Sequence, residues 1–267
     1  LTDGSLTGVD LTDKDLTGTI LRGADLTDAN LTGVDLSGRD LTGTILRGMD
    51  LTDKDLTGTI LREANISNSI LTDVSLSGKD LTGTILRGMD LTDKDLSGTI
   101  LRGADLTDAN LLGQDLSDHD LTDVILTGAD LSNSLLPDNG LSGKNFERTI
   151  FNWVDFSGKD LSYSDFSYAD FADANLENTN LAHANFINVD LTKIKNKSLA
   201  DADLSETSFA YSNLSGISLA GAILESTNLY NANLSGVDFT VSDVITAGLA
   251  FIESNLSNSN FEGVDLS

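Results

Sequence analysis

Carboxylates are the residues in this chain with the most evident capacity for chemistry. The 267 residues include 42 Asp and Glu, 16 Lys and Arg, two His and no Cys. Calcium requires six to eight converging oxygen ligands, whereas the aspartates here are spread singly along the sequence. His119 and His183 lie far apart and neither belongs to a catalytic or metal-binding motif. We therefore predict no catalytic, cofactor-binding or metal-binding residues and no enzyme activity.

The composition also restricts the partners. A formal net charge of −26 argues against direct binding to nucleic acid or to an anionic membrane. No apolar run approaches the roughly 20 residues that a membrane-spanning helix needs, so we expect no membrane insertion. The absence of cysteine excludes disulfides, and together with abundant Thr, Asn and Asp it leans only weakly toward an extracellular location.

A repeat of five residues must position every side chain. Each fifth residue from Leu1 to Leu191 is Leu, Phe or Ile. The residue before this centre is mostly Asp or Asn, the residue after it is mostly Thr or Ser, and the next is often Gly or Asp. This period fits neither a helix nor a plain strand. Short strand-like steps joined by turns must therefore stack to bury the centres, and such a stack has a spacing of roughly 4.8 Å.

The segments 24–28 (Ala-Asp-Leu-Thr-Asp) and 29–33 (Ala-Asn-Leu-Thr-Gly) carry a family resemblance. They resemble the pentapeptide-repeat family, whose consensus is A(D/N)LXX, and the resemblance covers nearly the whole chain. It implies an all-β fold, a right-handed quadrilateral parallel β-helix in which four pentapeptides make one coil. We predict about 13 coils on that basis. The segment 11–22 returns at 51–62 and, with Ser97 replacing Thr, at 91–102, which indicates duplication of a two-coil unit.

We expect residues 1–267 to form one continuous solenoid. Residues 1–133 are regular, Pro137 and Gly140 predict a corner defect near 134–140, and the centres of 141–267 are richer in Phe. A small loop is predicted at 192–198, where the register shifts by three, and a second slip falls between Leu249 and Leu256. Because the repeat is running at both ends, either the chain is a fragment or its uncapped ends meet partner copies.

Residues 20 apart should stack on one face, which defines three candidate surface groups. The aspartates of one column form a ladder: Asp15, Asp35, Asp55, Asp95 and Asp115. Isoleucines alternate with aspartates in the next column: Ile20, Ile60 and Ile100. Each of these isoleucines precedes an arginine by two residues: Arg22, Arg62 and Arg102. The pattern serves either to space charges and cover Ile with Arg stems, or to present an adhesive stripe to a partner.

Cations at inward positions depart from the family pattern. Lys14, Lys54 and Lys94 share one column, and Arg39 and Lys79 occupy the next. Burying unpaired charges is costly. We expect these side chains to escape at a corner or to pair with Asp15, Asp55 and Asp95, and a bound anion is a third interpretation.

Two functions from different classes fit this sequence. The first is a non-enzymatic structural or protein-interaction scaffold, an acidic rod that binds a protein partner or assembles end to end. The second follows from the resemblance, because some pentapeptide-repeat proteins are acidic rods that mimic DNA and protect DNA gyrase. The scaffold is the preferred hypothesis, since the sequence lacks a terminal helix pattern and 193–197 is basic.

Overall fold

Each pentapeptide is one short step that ends in a tight turn. The computed structural model describes residues 2–239 and 251–262. The N–H three residues after a centre donates to that centre's carbonyl, as from Val9 to Leu6 at 3.0 Å. The residue two positions after each centre has a positive φ, which is +67° at Gly8 and +55° at Asp13. A type II turn has this pattern and favours Gly or Asn there, which explains the Gly, Asp and Asn of the repeat.

The aspartate before each centre stabilises the same turn. The Asp25 carboxylate accepts hydrogen bonds from the Thr27 backbone N–H at 2.9 Å and from its hydroxyl at 2.6 Å. Asn65 accepts the corresponding bonds from Ser67 at 3.1 and 2.7 Å. Side-chain acceptors that bond two residues ahead favour turns. The motif Asp/Asn-Leu-Thr/Ser is therefore a local folding signal.

Successive coils pair through parallel bridges. Bridge partners lie 20 residues apart, as in Ser5 with Asp25 and Asp25 with Ile45. The Leu26 N–H also donates to the Ile45 carbonyl at 2.9 Å. All bridges in the described chain are isolated, so it has no strand with longer bounds. The fold is a right-handed quadrilateral parallel β-helix, which confirms the predicted class.

The described chain contains two short 3₁₀ segments, Leu191–Lys193 and Lys195–Lys197. Bridges that cross them have partners 23 residues apart, such as Asn180 with Asp203, and the 20-residue offset returns from Ser198. A second irregularity lies at 138–140, where bends replace the usual turn. The bridge between Asn233 and Asn255 spans 22 residues, but the predicted register slip itself lies largely in 240–250, outside the described residues.

Contacts divide the chain into two compact units. Unit 1 comprises Leu1–Leu111 and Asp118–Leu126. Its core consists of leucine columns, in which Leu21, Leu26 and Leu41 are fully buried. The residue two before a centre also points inward, and where it is apolar it is Ala, Val or Met, as at Ala24, Val34 and Met49.

Unit 2 comprises Leu112–Ser117 and Thr127–Ser267. Phenylalanine replaces leucine at many of its centres, and the rings stack along the columns. Phe166 stacks on Phe146 with ring centroids 5.3 Å apart and on Phe186 at 4.9 Å, and Phe186 stacks on Phe209 at 5.2 Å. These four rings are fully buried.

Candidate functional site

The predicted acid ladder is exposed in both units. Unit 1 carries Asp15, Asp35, Asp55 and Asp95, and unit 2 carries Asp115. In each, one carboxylate oxygen accepts the backbone N–H two residues later, at 2.8 to 3.0 Å. The aspartates therefore both close turns and present charge to solvent.

Hydrogen bonds favour the ionised form of the ladder in unit 1. The hydroxyl and backbone N–H of Thr17 lower the pKa of Asp15, and those of Thr57 lower the pKa of Asp55. The backbone N–H and hydroxyl of Ser37 lower the pKa of Asp35. Nearby cations also lower these pKa values: Arg39 acts on Asp15 and Asp35, and Lys79 acts on Asp55. Carboxylates stabilised in this way keep their charge to a lower pH than isolated ones.

The inward lysines do not behave as the sequence analysis expected. The half-buried Lys54 ammonium donates to the carbonyl oxygens of Leu31 at 2.6 Å and Val34 at 3.3 Å. Lys94 donates to the Leu71 carbonyl at 2.5 Å. The predicted pairing of Lys54 with Asp55 is therefore wrong, because the preceding coil offers carbonyl oxygens directly beneath the ammonium. Lys14 is exposed.

The adjacent inward column follows the same rule. The Lys79 ammonium donates to the Leu56 carbonyl, and the Thr59 hydroxyl donates to the Leu36 carbonyl at 2.9 Å. Each donor lies 23 residues after its acceptor. Each accepting carbonyl also receives its own turn N–H, so a second donor uses the remaining lone pair. Lys79 and Thr59 are thus satisfied by the coil beneath them, whereas the buried Arg39 Nε has no hydrogen-bond partner among the described residues.

The isoleucine stripe is exposed in unit 1. Ile20, Ile60 and Ile100 are 59%, 44% and 50% exposed, respectively. In the column of Ile20, isoleucine and aspartate alternate from coil to coil. In the column of Arg22, two residues later, arginine and threonine alternate in the same way. Arg62 lies 3.6 Å from Asp80 of the next coil, and Arg22 lowers the pKa of Asp40, whose largest shift comes from the Thr42 hydroxyl. Arg102 is exposed as well. Arginine therefore pairs with aspartate across coils while the isoleucines stay open to solvent.

A glycine corner separates the acid ladder from the isoleucine stripe. It consists of five glycines with positive φ: Gly18, Gly38, Gly58, Gly78 and Gly98. Cβ atoms added at Gly18, Gly38 and Gly78 would meet nothing within 4 Å. The corner therefore carries only glycines and the short Thr or Ser side chains that precede them, such as Thr17 and Thr57, so a partner could contact both adjoining sides.

A family model and several solved structures are similar to this chain. The family model of pentapeptide repeats matches in eight copies, and the matched residues cover 1–138, 160–195 and 202–240.

The chain belongs to the pentapeptide-repeat family.

Several solved pentapeptide-repeat structures are similar to it. HetL, involved in heterocyst differentiation regulation in the cyanobacterium Nostoc sp. strain PCC 7120, is 27% identical, with 98% of this chain and 89% of HetL covered and a TM-score of 0.36. A trypsin-treated form of QnrB1, a plasmid-mediated fluoroquinolone resistance protein, is 21% identical over 81% of this chain and 88% of that one, with a TM-score of 0.41. Rfr23 from the cyanobacterium Cyanothece 51142 is 20% identical over 66% and 86%, with a TM-score of 0.19. No curated protein matches the chain significantly.

One feature of this pentapeptide-repeat chain escaped the sequence analysis. Four aromatic residues of unit 2 occupy the positive-φ corner position and are more than half exposed: Trp153, Tyr163, Tyr168 and Tyr211. Elsewhere this position is mostly Gly, Asp or Asn. The aromatic residues are visible in the sequence, two residues after their centres, but their positive φ is not.

The two histidines lie in different settings. His119 Nε2 lies 2.9 Å from the Leu96 carbonyl oxygen and 3.0 Å from the Thr99 hydroxyl. His183 stacks on Tyr163 with centroids 4.4 Å apart, and its Nδ1 lies 3.2 Å from a Glu206 carboxylate oxygen. Among the described residues no group of three or more His, Cys, Asp or Glu side chains could hold a metal ion. The same part of the chain contains no helix long and apolar enough to cross a membrane.

Proposed function

We propose that this pentapeptide-repeat protein is a non-enzymatic scaffold that binds a basic protein surface through one face of unit 1. We name it the ladder–stripe face; it comprises two neighbouring sides and the glycine corner between them. Its residues are Asp15, Asp35, Asp55, Asp95, Ile20, Ile60, Ile100, Arg22, Arg62 and Arg102. The observation that carries the proposal is that exposed aspartates and half-exposed isoleucines flank a corner built only from glycines and short Thr or Ser side chains.

Electrostatics supports a basic partner. The chain has a net charge of −26, and hydrogen bonds keep the ladder ionised. Complementary charge raises association rates and disfavours wrong partners, whereas apolar surface supplies most of the affinity. The ladder would therefore attract the partner, and the three isoleucines would be buried against it.

Paired capture experiments test this proposal. Immobilised wild-type protein is compared with Asp35→Asn/Asp55→Asn and with Ile60→Ser/Ile100→Ser, using extracts of the source cells. Asparagine keeps the turn hydrogen bond, as Asn65 does, so the fold should persist. The matched control is Asp50→Asn/Asp90→Asn, because these exposed carboxylates lie on another side and accept Thr52 and Thr92 N–H groups at 2.9 and 3.2 Å.

We expect the same basic proteins to bind wild type and the control and to be lost from both ladder–stripe variants. Equal loss from the control would show that net charge alone causes binding. Unchanged binding by both ladder–stripe variants would refute the proposal.

The ladder also supports a second candidate, a DNA mimic acting on DNA gyrase or another topoisomerase. Apart from Ser75, its carboxylates recur in successive coils, at a spacing of roughly 4.8 Å that is of the same order as the 3.4 Å rise between phosphates of one DNA strand. A gyrase supercoiling assay at low and moderate salt tests it. Inhibition at low micromolar protein that weakens with salt supports mimicry, whereas no effect at large excess excludes it for the enzyme used.

A further inference from the structure

Four aromatic side chains of unit 2 stand where the backbone disfavours them. Trp153, Tyr163, Tyr168 and Tyr211 have φ values of +61° to +63°. A bulky residue with positive φ is a genuine outlier, and strained positions of this kind concentrate at functional sites. Folding alone would favour Gly or Asn, which occupy the same position at Gly158 and Asn178. The aromatic residues therefore need a reason other than stability.

These four side chains gain little from burial that could offset the strained backbone. The side chains are exposed by 61% at Trp153, 64% at Tyr163, 53% at Tyr168 and 52% at Tyr211. Half or more of each residue thus remains in water, so little burial offsets the strained backbone. Exposed Trp and Tyr are typical of residues that dominate protein interfaces.

The four residues lie on three consecutive corners of stacked coils. Arg148, Tyr168, Asn188 and Tyr211 follow one another along one corner, as the bonds from the Tyr168 N–H to the Ile187 carbonyl at 3.0 Å and from the Asn188 N–H to the Ala210 carbonyl at 3.2 Å show. Tyr163 and His183 stack along the corner before it. Trp153 lies on the corner after it, where its N–H donates to Ala172 at 2.9 Å. We call this group the aromatic corners.

The chain itself shows what these rings accept. The Arg148 guanidinium lies over the Tyr168 ring at 5.7 Å and within 3.0 Å of a Glu147 carboxylate oxygen. A cation held between a ring face and a carboxylate is stabilised by both. The Arg148 arrangement is therefore an internal example of how a foreign cation would bind.

Carboxylates accompany the other rings in the same way. Glu206 lies beside His183 on the Tyr163 corner, and its side chain is 60% exposed. Tyr211 contacts Tyr230 edge to face at 5.3 Å, and hydrogen bonds of the Tyr230 hydroxyl with the Glu253 carboxylate, which accepts, and with Tyr211 raise the pKa of Tyr230 to about 12. Asp173 is exposed and directly follows Ala172, whose carbonyl accepts the Trp153 backbone N–H. Carboxylates thus lie near the Tyr163 and Tyr211 rings, whereas the basic segment 193–197 follows Asp173 in the next coil.

We propose that the aromatic corners form a second binding surface, which takes an arginine- or lysine-bearing segment of a protein partner by cation–π contact and carboxylate pairing. Arginine should bind better than lysine, because its planar guanidinium stacks on rings and pairs with carboxylates together. This surface lies in unit 2 and is independent of the ladder–stripe face, so either proposal can fail alone.

The single tryptophan of the chain provides the readout, because Trp153 is itself one of the aromatic corners. Full-length protein is titrated with a capped peptide of four Gly-Arg repeats at 150 mM salt, and Trp153 emission is followed. Capped peptides of four Gly-Lys and four Gly-Glu repeats and the neutral sugar cellohexaose serve as comparison probes.

Two double variants separate the aromatic contribution from general charge attraction. Tyr163→Asn/Tyr168→Asn keeps every charge and Trp153, and Asn is native to this turn position at Asn178 and Asn188. Asp50→Asn/Asp90→Asn removes two charges from unit 1 outside the ladder–stripe face and leaves the aromatic corners intact. Melting temperatures establish that both variants fold.

We expect a saturable change in emission with the Gly-Arg peptide, a weaker one with Gly-Lys and none with Gly-Glu. The tyrosine variant should bind at least tenfold more weakly without a lower melting temperature, and the aspartate variant should bind as wild type does. Equal binding by the tyrosine variant, equal weakening of both variants, or a saturable response to cellohexaose alone would each overturn the proposal.

Discussion

The Lys54 ammonium lies 2.6 Å from the carbonyl oxygen of Leu31, a residue 23 positions earlier that occupies the preceding coil. A cation at an inward position is thus held by the backbone of the solenoid itself. The same contact is made by hydroxyls, as from Thr44 to Leu21 at 2.9 Å. Charge inside the coil and regular stacking are therefore compatible.

Replacing Lys54 tests the contribution of this contact. Lys54→Met removes a hydrogen bond from a charged donor and should lower the free energy of unfolding by about 1–2 kcal/mol. Lys54→Thr should lose less, since Thr59 makes the equivalent bond at 2.9 Å. Urea titration measures both. Lys14→Met is the matched control, because Lys14 is exposed, and an equal loss in the control would contradict the account.

The aspartate turns predict a specific dependence on pH. The hydroxyl and then the N–H of Thr27 lower the pKa of Asp25 from 3.8, so the folded state favours its ionised form. The stability this gives is present above pH 3.8 and is lost as pH falls through the lowered pKa. The melting temperature of wild type should therefore fall relative to Asp25→Asn between pH 6 and 2.5. A constant difference over this range would show that the carboxylate hydrogen bonds contribute nothing.

The phenylalanine column predicts unequal costs for two substitutions. Phe166 is fully buried between Phe146 and Phe186 in unit 2. Phe166→Ala should lower the free energy of unfolding by roughly 3–5 kcal/mol, because it leaves a cavity. Phe166→Leu should cost less, since leucine leaves a smaller cavity and already fills the buried centres Leu161 and Leu176. Chemical denaturation distinguishes the two, and similar costs would mean that the ring stack is not tightly packed.

The aromatic corners predict a gain in stability on substitution. Trp153→Asn removes a bulky residue at φ +62° and should raise the free energy of unfolding by about 1 kcal/mol. The reciprocal change, Asn178→Tyr at φ +57°, should lower it by a similar amount. Thermal unfolding of both variants tests the pair. A destabilised Trp153→Asn would show that the indole is retained for packing.

The sequence predicted the repeat, the turn and the fold because each depends on local five-residue chemistry. Three adjacent residues are sufficient: Asp25 supplies the turn acceptor, Leu26 is the buried centre, and Thr27 supplies the donor to Asp25. The fate of Lys54 could not be predicted in this way, because its acceptors are backbone atoms of another coil. Backbone carbonyls leave no mark in a residue pattern.

The candidate surfaces were only partly accessible to sequence reasoning. Column arithmetic correctly placed Asp40 beside Ile60 and Asp80 beside Ile100, and parallel bridges join both pairs. The tyrosines at 163 and 168 were passed over, because their significance depends on a positive φ that composition does not reveal. The coil count and the single continuous domain remain predictions.

Zero-length carbodiimide cross-linking of the captured complex tests the scaffold proposal most directly, because it joins carboxylates to lysine amines in contact with them. The cross-linked peptides are identified by mass spectrometry on full-length protein. The account predicts links at Asp15, Asp35, Asp55 and Asp95, and few at Asp50 and Asp90. Links concentrated at Asp50 and Asp90, or spread evenly over the exposed carboxylates, would contradict it.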